Sequence, residues 1–390
     1  MAFTQSDFDL VVPVAARAAL RGWQSGEVLH QADLVARTTL APGQAELVFA
    51  SLAEAGLALP EENSLRRTGR AVRLFVGDLG GTKLHTAIVD ETGAILGERL
   101  EPTAAGVHAV IDQIVRLHAE LATACAVPAS AIGAAAMGVP GSLDPRSGAV
   151  GFAPNIQGLD TVDLAAELER RLGHRVRLEN DVNLAALGES AAGCAQGLQN
   201  FAFVALGTGI GMGLVLDGRL VRGHRGMAGE IALLPVGDPS ESGSHAAGDA
   251  VLESEIGSSG ILATARRLGP TQAVTVEQLF AEARDGVPSA RAAIAVTADI
   301  LFKALLAVRS VVDPELIVLG GSIGLQAEIT ESLVTRAAHH PYAPAIATSL
   351  LGPRAVLAGA SLAALAEFIA PPALCNRASN RAARRIVVPS

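Results

Sequence analysis

Three short glycine turns stand out for their chemistry: Gly80 and Gly81 in "LGGT", Gly207 and Gly209 in "GTG", and Gly320 and Gly321 in "LGGS". Each directly follows an apolar run that reads as a strand. Glycine has no Cβ, so backbone N–H groups at such turns can approach a phosphate chain closely. One such turn says little, because tight hairpins need glycine anyway. Three in the same context point to a phosphate-bearing ligand. A carboxylate, Glu230 in "AGEIALL", lies between a glycine-rich loop and an apolar run. Asp181 precedes "VNLAALGESAA", where its plain reading is a helix N-cap, and Asn155 follows Pro154 in what reads as a turn. A different chemistry is suggested by Arg66, Arg67, Arg70 and Arg73, four guanidinium groups within eight positions. They would suit a DNA backbone or minor groove, or equally a solvated strand.

The elements that position these residues fall into three segments. Residues 1–74 read as a small α+β domain. "VVPVAARAALRGW", "HQADLVART" and "PGQAELVFASLAEAGL" carry apolar residues at helical spacing, and Gly56 stops the third run. Three helices followed by a two-stranded wing predict a winged helix-turn-helix; a packing or dimerisation bundle has the same periodicity. The third helix offers Gln44, Glu46 and Ser51 but no Arg or Lys before Glu54, a weak base-reading set. From Leu74 the pattern changes to strand, glycine turn, strand, hairpin, strand, and "NFAFVALGTGIGMGLVLDGRLVRG" repeats it. Two such meanders separated by helical sequence predict a duplicated α/β fold with two lobes, residues 75–195 and 196–390, and a cleft between them, the last helices returning to the first lobe.

Composition bounds the rest. The chain has 390 residues, 50% of them hydrophobic, and a formal charge of −9. That supports a large buried core and excludes a general nucleic-acid-coating or membrane-surface protein, so any DNA contact would be local. No membrane span or leader pattern is read, and a cytoplasmic location is expected. Cys125, Cys194 and Cys375 lie far apart without metal-ligand spacing.

The motifs in order, "DLGGTK", "GVPG", "PNIQGL", "ENDVN", "LGTGIGMGLVLDGRLVRGHRGMAGEI" and "LGGS", resemble the ROK family of sugar-responsive repressors and sugar kinases, over roughly residues 10 to 370. The resemblance implies the actin-like, ribonuclease-H-like ATPase fold. It makes Asp78, Gly80, Gly81 and Thr82 the first phosphate and magnesium loop and Gly207, Thr208 and Gly209 the second. Gly320 and Gly321 would lie near the nucleotide base or ribose. Asn155, Asn180, Asp181, Glu230 and Glu253 would bind sugar, and Asp181 would be the general base for a kinase.

The sequence departs from the family pattern at its zinc motif. Leu233 stands where the histidine of "GEIGH" would be, and "SHAAGDAVLE" places Ser244, Ala246 and Val251 where zinc thiolates would be. No structural zinc is therefore expected, with apolar repacking around Leu233 and Leu234 in its place. With the N-terminal domain, this predicts a sugar-responsive transcriptional regulator with little or no kinase activity. It would need no cofactor for regulation and would have three partners: a DNA operator (Gln44 and the four arginines), a sugar or sugar phosphate, and a second copy in a homodimer or higher homo-oligomer. The alternative is a zinc-independent sugar kinase for a hexose or amino sugar, using ATP and magnesium, with an N-terminal appendage.

Overall fold

The computed structural model describes residues 11–38, 40, 42–144, 148–151, 156–236 and 251–370. Contacts divide the chain into two units, Met1–Asp181 with Ala360–Ser390, and Val182–Gly359.

The first unit begins with α1 (Val11–Leu20), β1 (Val28–His30), α2 (Gln31–Thr38), α3 (Pro42–Glu54), β2 (Ala58–Glu61) and β3 (Ser64–Arg67). The helices coincide with the three periodic apolar runs, burying Leu34, Val48 and Leu52 completely, and Gly56 at φ +69° follows the third. The strands form an antiparallel sheet in the order β1-β3-β2, one strand more than the expected hairpin. The extra strand, "VLH", is too short to show a period in sequence.

Next come β4 (Arg73–Leu79), β5 (Lys83–Asp90), β6 (Ile95–Pro102), α4 (Val107–Ala124), β7 (Ile132–Val139), β8 (Ser142–Leu143), β9 (Val150–Gly151), α5 (Leu164–Leu172) and β10 (Arg175–Asn180). The main sheet has the order β10-β7-β4-β5-β6: β4, β7 and β10 are parallel, and β4-β5-β6 is an antiparallel meander. β7 reads "IGAAAMGV" and is buried at nearly every position, the pattern of a strand covered on both faces. On one face, α4 lays Val110, Ile111, Ile114, Leu117 and Leu121 against Phe75, Leu84, Ile88 and Val176.

A ring pair sits at the edge of this core. His118 of α4 is buried, its Nε2 lies 3.1 Å from Nε2 of His174, and its ring meets Phe75 edge-on at 5.0 Å. Burial, with the neighbouring His174, lowers His118 to about 4. An unfolded histidine titrates near 6.5, so the unfolded chain takes up the proton first as the pH drops. The stability conferred by neutral His118 is full above about pH 6.5 and falls by roughly 3 kcal/mol towards pH 4, where the folded ring also protonates. Urea titrations between pH 7.5 and 4 are expected to give a steeper loss for wild type than for His118→Phe; parallel curves would show that the pair is not buried as described.

The joint between the N-terminal elements and the main sheet is charged. Glu91, in the β5–β6 turn, receives Arg67 at 3.0 Å, Arg73 at 3.3 Å and the backbone N–H of Val72 at 3.2 Å. Arg67 also donates to the Leu57 carbonyl at 2.8 Å. Arg17 of α1 packs its guanidinium over Gly93 of the same turn. Burial and the nearby Arg21 lower Arg17 to about 9, against the pull of Asp90. Its Nε and Nη2 have no hydrogen-bond partner.

Helix α6 (Asp181–Ala192) starts at the boundary and leads into the second unit, which contains β11 (Phe201–Leu206), β12 (Ile210–Leu216), β13 (Arg219–Leu220), α7 (Val251–Ile256), α8 (Ser258–Leu268), α9 (Val276–Arg284), α10 (Pro288–Val312), β14 (Leu316–Gly320), α11 (Gly321–Gly324), α12 (Ala327–Ala338) and β15 (Ile346–Thr348). Its sheet, β13-β12-β11-β14-β15, repeats the first topology: a meander from β11 through β13, with β14 and β15 parallel to β11. Helix α10 is the main core helix, burying Ile294, Leu301 and Leu305 with Phe280 and Ile329. Helix α13 (Ala355–Ile369) crosses α6 so closely that a Cβ at Gly188 would strike the Ala355 carbonyl and one at Gly359 the Leu184 carbonyl. With the turn before it, α13 is long and apolar enough to cross a membrane, but it is mostly buried, as a core helix is.

Candidate functional site

In the first unit the site gathers where β4 and β10 end. Asp78 is the penultimate residue of β4, and the turn after it is closed by a hydrogen bond from Gly80 N to Lys83 O at 2.9 Å. Thr103 braces it: its hydroxyl donates to Gly80 O at 2.7 Å and its N–H to Thr82 O at 3.1 Å. Gly81 and Thr82 are left exposed. Burial, and then the charge of Asp181, push Asp78 up to about 7. A buried carboxylate whose ionisation is disfavoured by a second carboxylate, beside a turn whose Gly81 and Thr82 are exposed, is a donor set that suits a hard divalent cation.

Asp181 occupies the first turn of α6, immediately after β10. Asn180 donates from Nδ2 to the Gly141 carbonyl at 2.9 Å, so its amide holds the loop of "GVPG" in place. Asn155, expected to bind sugar, lies outside the described residues, as do Ser244 and Ala246.

The second unit brings the other two glycine turns together. Gly207 N bonds to Gly209 O at 2.9 Å, and a Cβ on Gly207 would be 3.3 Å from the Ser322 hydroxyl. Gly321 has φ +79°, and a side chain there would collide with the Leu206 carbonyl, which is why glycine is required. The start of α8 fixes the first turn: Ser258 donates from Oγ to Gly207 O at 3.0 Å and from N to Thr208 O at 3.2 Å. Glu253 accepts from Ile210 N at 3.1 Å, and its carboxylate fills the space a Cβ at Gly209 would need. The carboxylate read from sequence as a sugar contact thus braces the glycine turn. Glu230 is half-buried, and its backbone is held next to β12 through Met212 N to Gly229 O at 3.1 Å.

The expected repacking around Leu233 takes another form. Leu233 is 38% exposed, and the segment is anchored by Ile231, Ala232, Leu252 and Ile256, with Leu234 half-buried against them. Among the described residues no group of three or more His, Cys, Asp or Glu side chains is arranged around a metal position.

Sequence reasoning missed Thr103, Ser258 and Glu189. Glu189 of α6 is fully buried, and its carboxylate accepts from Cys194 N at 2.9 Å, Leu351 N at 3.3 Å and the Ser349 hydroxyl. Ser349 N in turn donates to Leu319 O, next to Gly320, at 2.8 Å. Helix α6 is thereby tied to the strand that carries the last glycine turn.

The arginines expected to grip DNA have partners within the chain. Arg66 is paired with Glu61 at 2.7 Å and donates to Gly26 O, and Arg67 and Arg73 are held by Glu91. Arg70 donates to Ala55 O at 2.8 Å and stacks 5.3 Å from the centre of the Phe368 ring. Arg73 opens β4 rather than belonging to a wing. Gln44 is half-buried on α3.

The repeated mixed sheets with their glycine turns define the α/β architecture seen in actin-like sugar kinases. The chain belongs to the ROK family, whose sequence profile matches residues 76–367. It is 30% identical over 273 residues to a glucokinase of Thermotoga maritima, a match covering 66% of this chain and 84% of that one. It is similar to the crystal structure of a ROK family glucokinase from Streptomyces griseus in complex with glucose and AMPPNP, with a TM-score of 0.64 and 25% identity over 75% of this chain and 99% of that one. A ROK family transcriptional regulator, a homologue of the E. coli MLC protein, shares the fold over 92% of this chain and 97% of its own, with a TM-score of 0.71 at 22% identity. These comparisons correct the expectation of a regulator with little or no kinase activity. The glucokinase relatives favour sugar kinase activity, whereas the regulator's likeness is one of fold.

Proposed function

We propose that this chain is a zinc-independent, ATP-dependent kinase of a hexose or amino sugar that carries an N-terminal winged helix-turn-helix as an appendage. The observation that carries this reading is the Asp78–Asp181 carboxylate pair beside the braced Gly80–Thr82 turn, with Asp78 raised to about 7. Asp181 is the general base: it takes the proton of the attacking sugar hydroxyl as the new oxygen–phosphorus bond forms and the bond to ADP breaks. Asp78 would hold magnesium, which when bound supplies positive charge against the phosphates. Gly207, Thr208 and Gly209 hold the phosphate chain through backbone N–H groups, and the bracing by Ser258 and Glu253 keeps them oriented before ligand arrives. Glu230 and Asn180 are assigned to the sugar side.

The internal partners of Arg66, Arg67, Arg70 and Arg73 support a structural role for the N-terminal domain. The test is ADP release with ATP and magnesium across hexoses and amino sugars. Wild type is expected to turn over one of them at about 1 s⁻¹ or faster, and Asp181→Asn to lose at least about 10²-fold in kcat with little change in KM. An unchanged kcat in the variant would remove Asp181 from the chemistry.

A further inference from the structure

Glu189 lies in the last turn of α6 with no exposed surface, on the same helix that Asp181 opens. Its Oε1 accepts from the Ser349 hydroxyl and from Leu351 N at 3.3 Å, and its Oε2 from Cys194 N at 2.9 Å and the Cys194 thiol at 3.3 Å. A carboxylate has about four acceptor positions, and here each is used by a neutral donor. A side chain that only filled space would not need them. The donors sit just beyond the end of α6 and just after β15. Ser349 extends the link, its N–H donating to Leu319 O and its hydroxyl accepting from Gly352 N, both at 2.8 Å. The far end of α6 is thus tied to β14, the strand that runs into Gly320 and Gly321.

The near end of the helix is seated in two glycine notches. A Cβ on Gly213 of β12 would strike the Val182 carbonyl and lie 3.0 Å from the Ala186 Cβ, and one on Gly211 would lie 3.2 Å from a Val182 methyl. Val182 directly follows Asp181, and β12 begins at Ile210, directly after the Gly207–Gly209 turn. Sequence alone assigns those two glycines to a loop motif; the fold uses them to admit a helix.

We infer that Glu189 is a positioning residue for the general base: it fixes the rotation and axial position of α6, so that Asp181 stands in register with the phosphate turn at Gly207–Gly209. The chemical consequence rests on the kinase reading, whereas the mechanical link does not. A base must lie within hydrogen-bond reach of the proton it takes. Displacement of a reacting group by about 1 Å can cost on the order of a hundredfold in rate.

The test is steady-state ADP release and amide exchange on the full chain with Glu189→Gln, Ser349→Ala, Ser349→Thr, and Glu189→Gln combined with Asp181→Asn. Glutamine turns an N–H2 towards two donors, so Glu189→Gln is expected to lower kcat at least about tenfold with KM for sugar and ATP within about twofold of wild type. Ser349→Ala should lower kcat severalfold, and Ser349→Thr, which keeps the hydroxyl, should restore it. In the Asp181→Asn chain the base is already gone, so Glu189→Gln should cost nothing further. Without ligand, Glu189→Gln should speed exchange at Ala185 to Gly188, whose N–H groups donate to the first-turn carbonyls, and leave β4 and β7 as in wild type. Melting curves establish that the variants are folded; should Glu189→Gln not fold, Ser349→Ala serves in the same comparisons. Costs that multiply in the double variant, or a kcat equal to wild type, would overturn the proposal. Unchanged exchange at Ala185 to Gly188 would overturn it whether or not the chain turns over sugar. No turnover by wild type, with faster exchange in the variant, would remove the kinase reading and uphold the link.

Discussion

Asp78→Asn is expected to abolish phosphoryl transfer and at the same time to make the protein more stable at pH 8. Burial and the nearby Asp181 raise Asp78 to about 7, far above the roughly 3.8 of the unfolded chain. For an acid shifted upwards, the folded state is at no disadvantage below the unfolded value, and stability is lost as the pH rises through the folded value. The penalty therefore builds from about pH 4 to pH 7 and is constant above, reaching at most roughly 4 kcal/mol. Asparagine has no charge to bury, so the variant should melt well above wild type at pH 8 and close to it at pH 4. Magnesium with nucleotide should raise the melting temperature of wild type more than that of Asp78→Asn, because only the carboxylate gains from the cation. Activity should fall by about 10²–10³-fold or more, the usual scale for losing an electrostatic contact to the transferring group. A variant that is no more stable than wild type at pH 8 would show that Asp78 is not a strained carboxylate.

The second large effect concerns the N-terminal joint. Glu91 is the common partner of Arg67, Arg73 and the Val72 N–H, and Arg67 is buried. Removing the carboxylate leaves a buried guanidinium without its counter-charge, a change that typically costs about 3–5 kcal/mol. Glu91→Ala is therefore expected to lower the urea midpoint and to speed amide exchange in β3 and the segment between β3 and β4, with β11 and β14 unaffected. Glu91→Gln, which keeps an acceptor, should lie between. If Glu91→Ala exchanged and unfolded as wild type does, the N-terminal elements would be held by apolar contacts alone.

The contrast between Asp78 and Glu91 shows what the sequence could convey. The glycine turns were legible because the constraint is local: φ +79° at Gly321, or the carboxylate against Gly209, admits no side chain, and the requirement is written at that position. The repeated meanders were legible through their apolar period and turn residues. The partner of Arg67 was not, because Glu91 lies 24 positions away in a turn that reads as an ordinary hairpin, and only the folded chain joins them. A run of arginines looks the same in sequence whether it faces phosphates or a glutamate of the same chain. Glu189 was hidden for the same reason, its donors at Ser349 and Leu351 being about 160 residues distant. Leu233 misled in a further way. It reads as a lost ligand, while the segment that bears it is secured by Ile231, Leu252 and Ile256, residues with no metal chemistry at all.

The central claim is transfer of a phosphoryl group from ATP to a sugar, and phosphorus NMR reports it directly. Wild-type protein incubated with ATP, magnesium and each of a panel of hexoses and amino sugars is expected to give, with at least one of them, a phosphate monoester resonance that grows in step with ADP. ATP that remains intact with every sugar, in protein shown by its melting curve to be folded, would contradict the account.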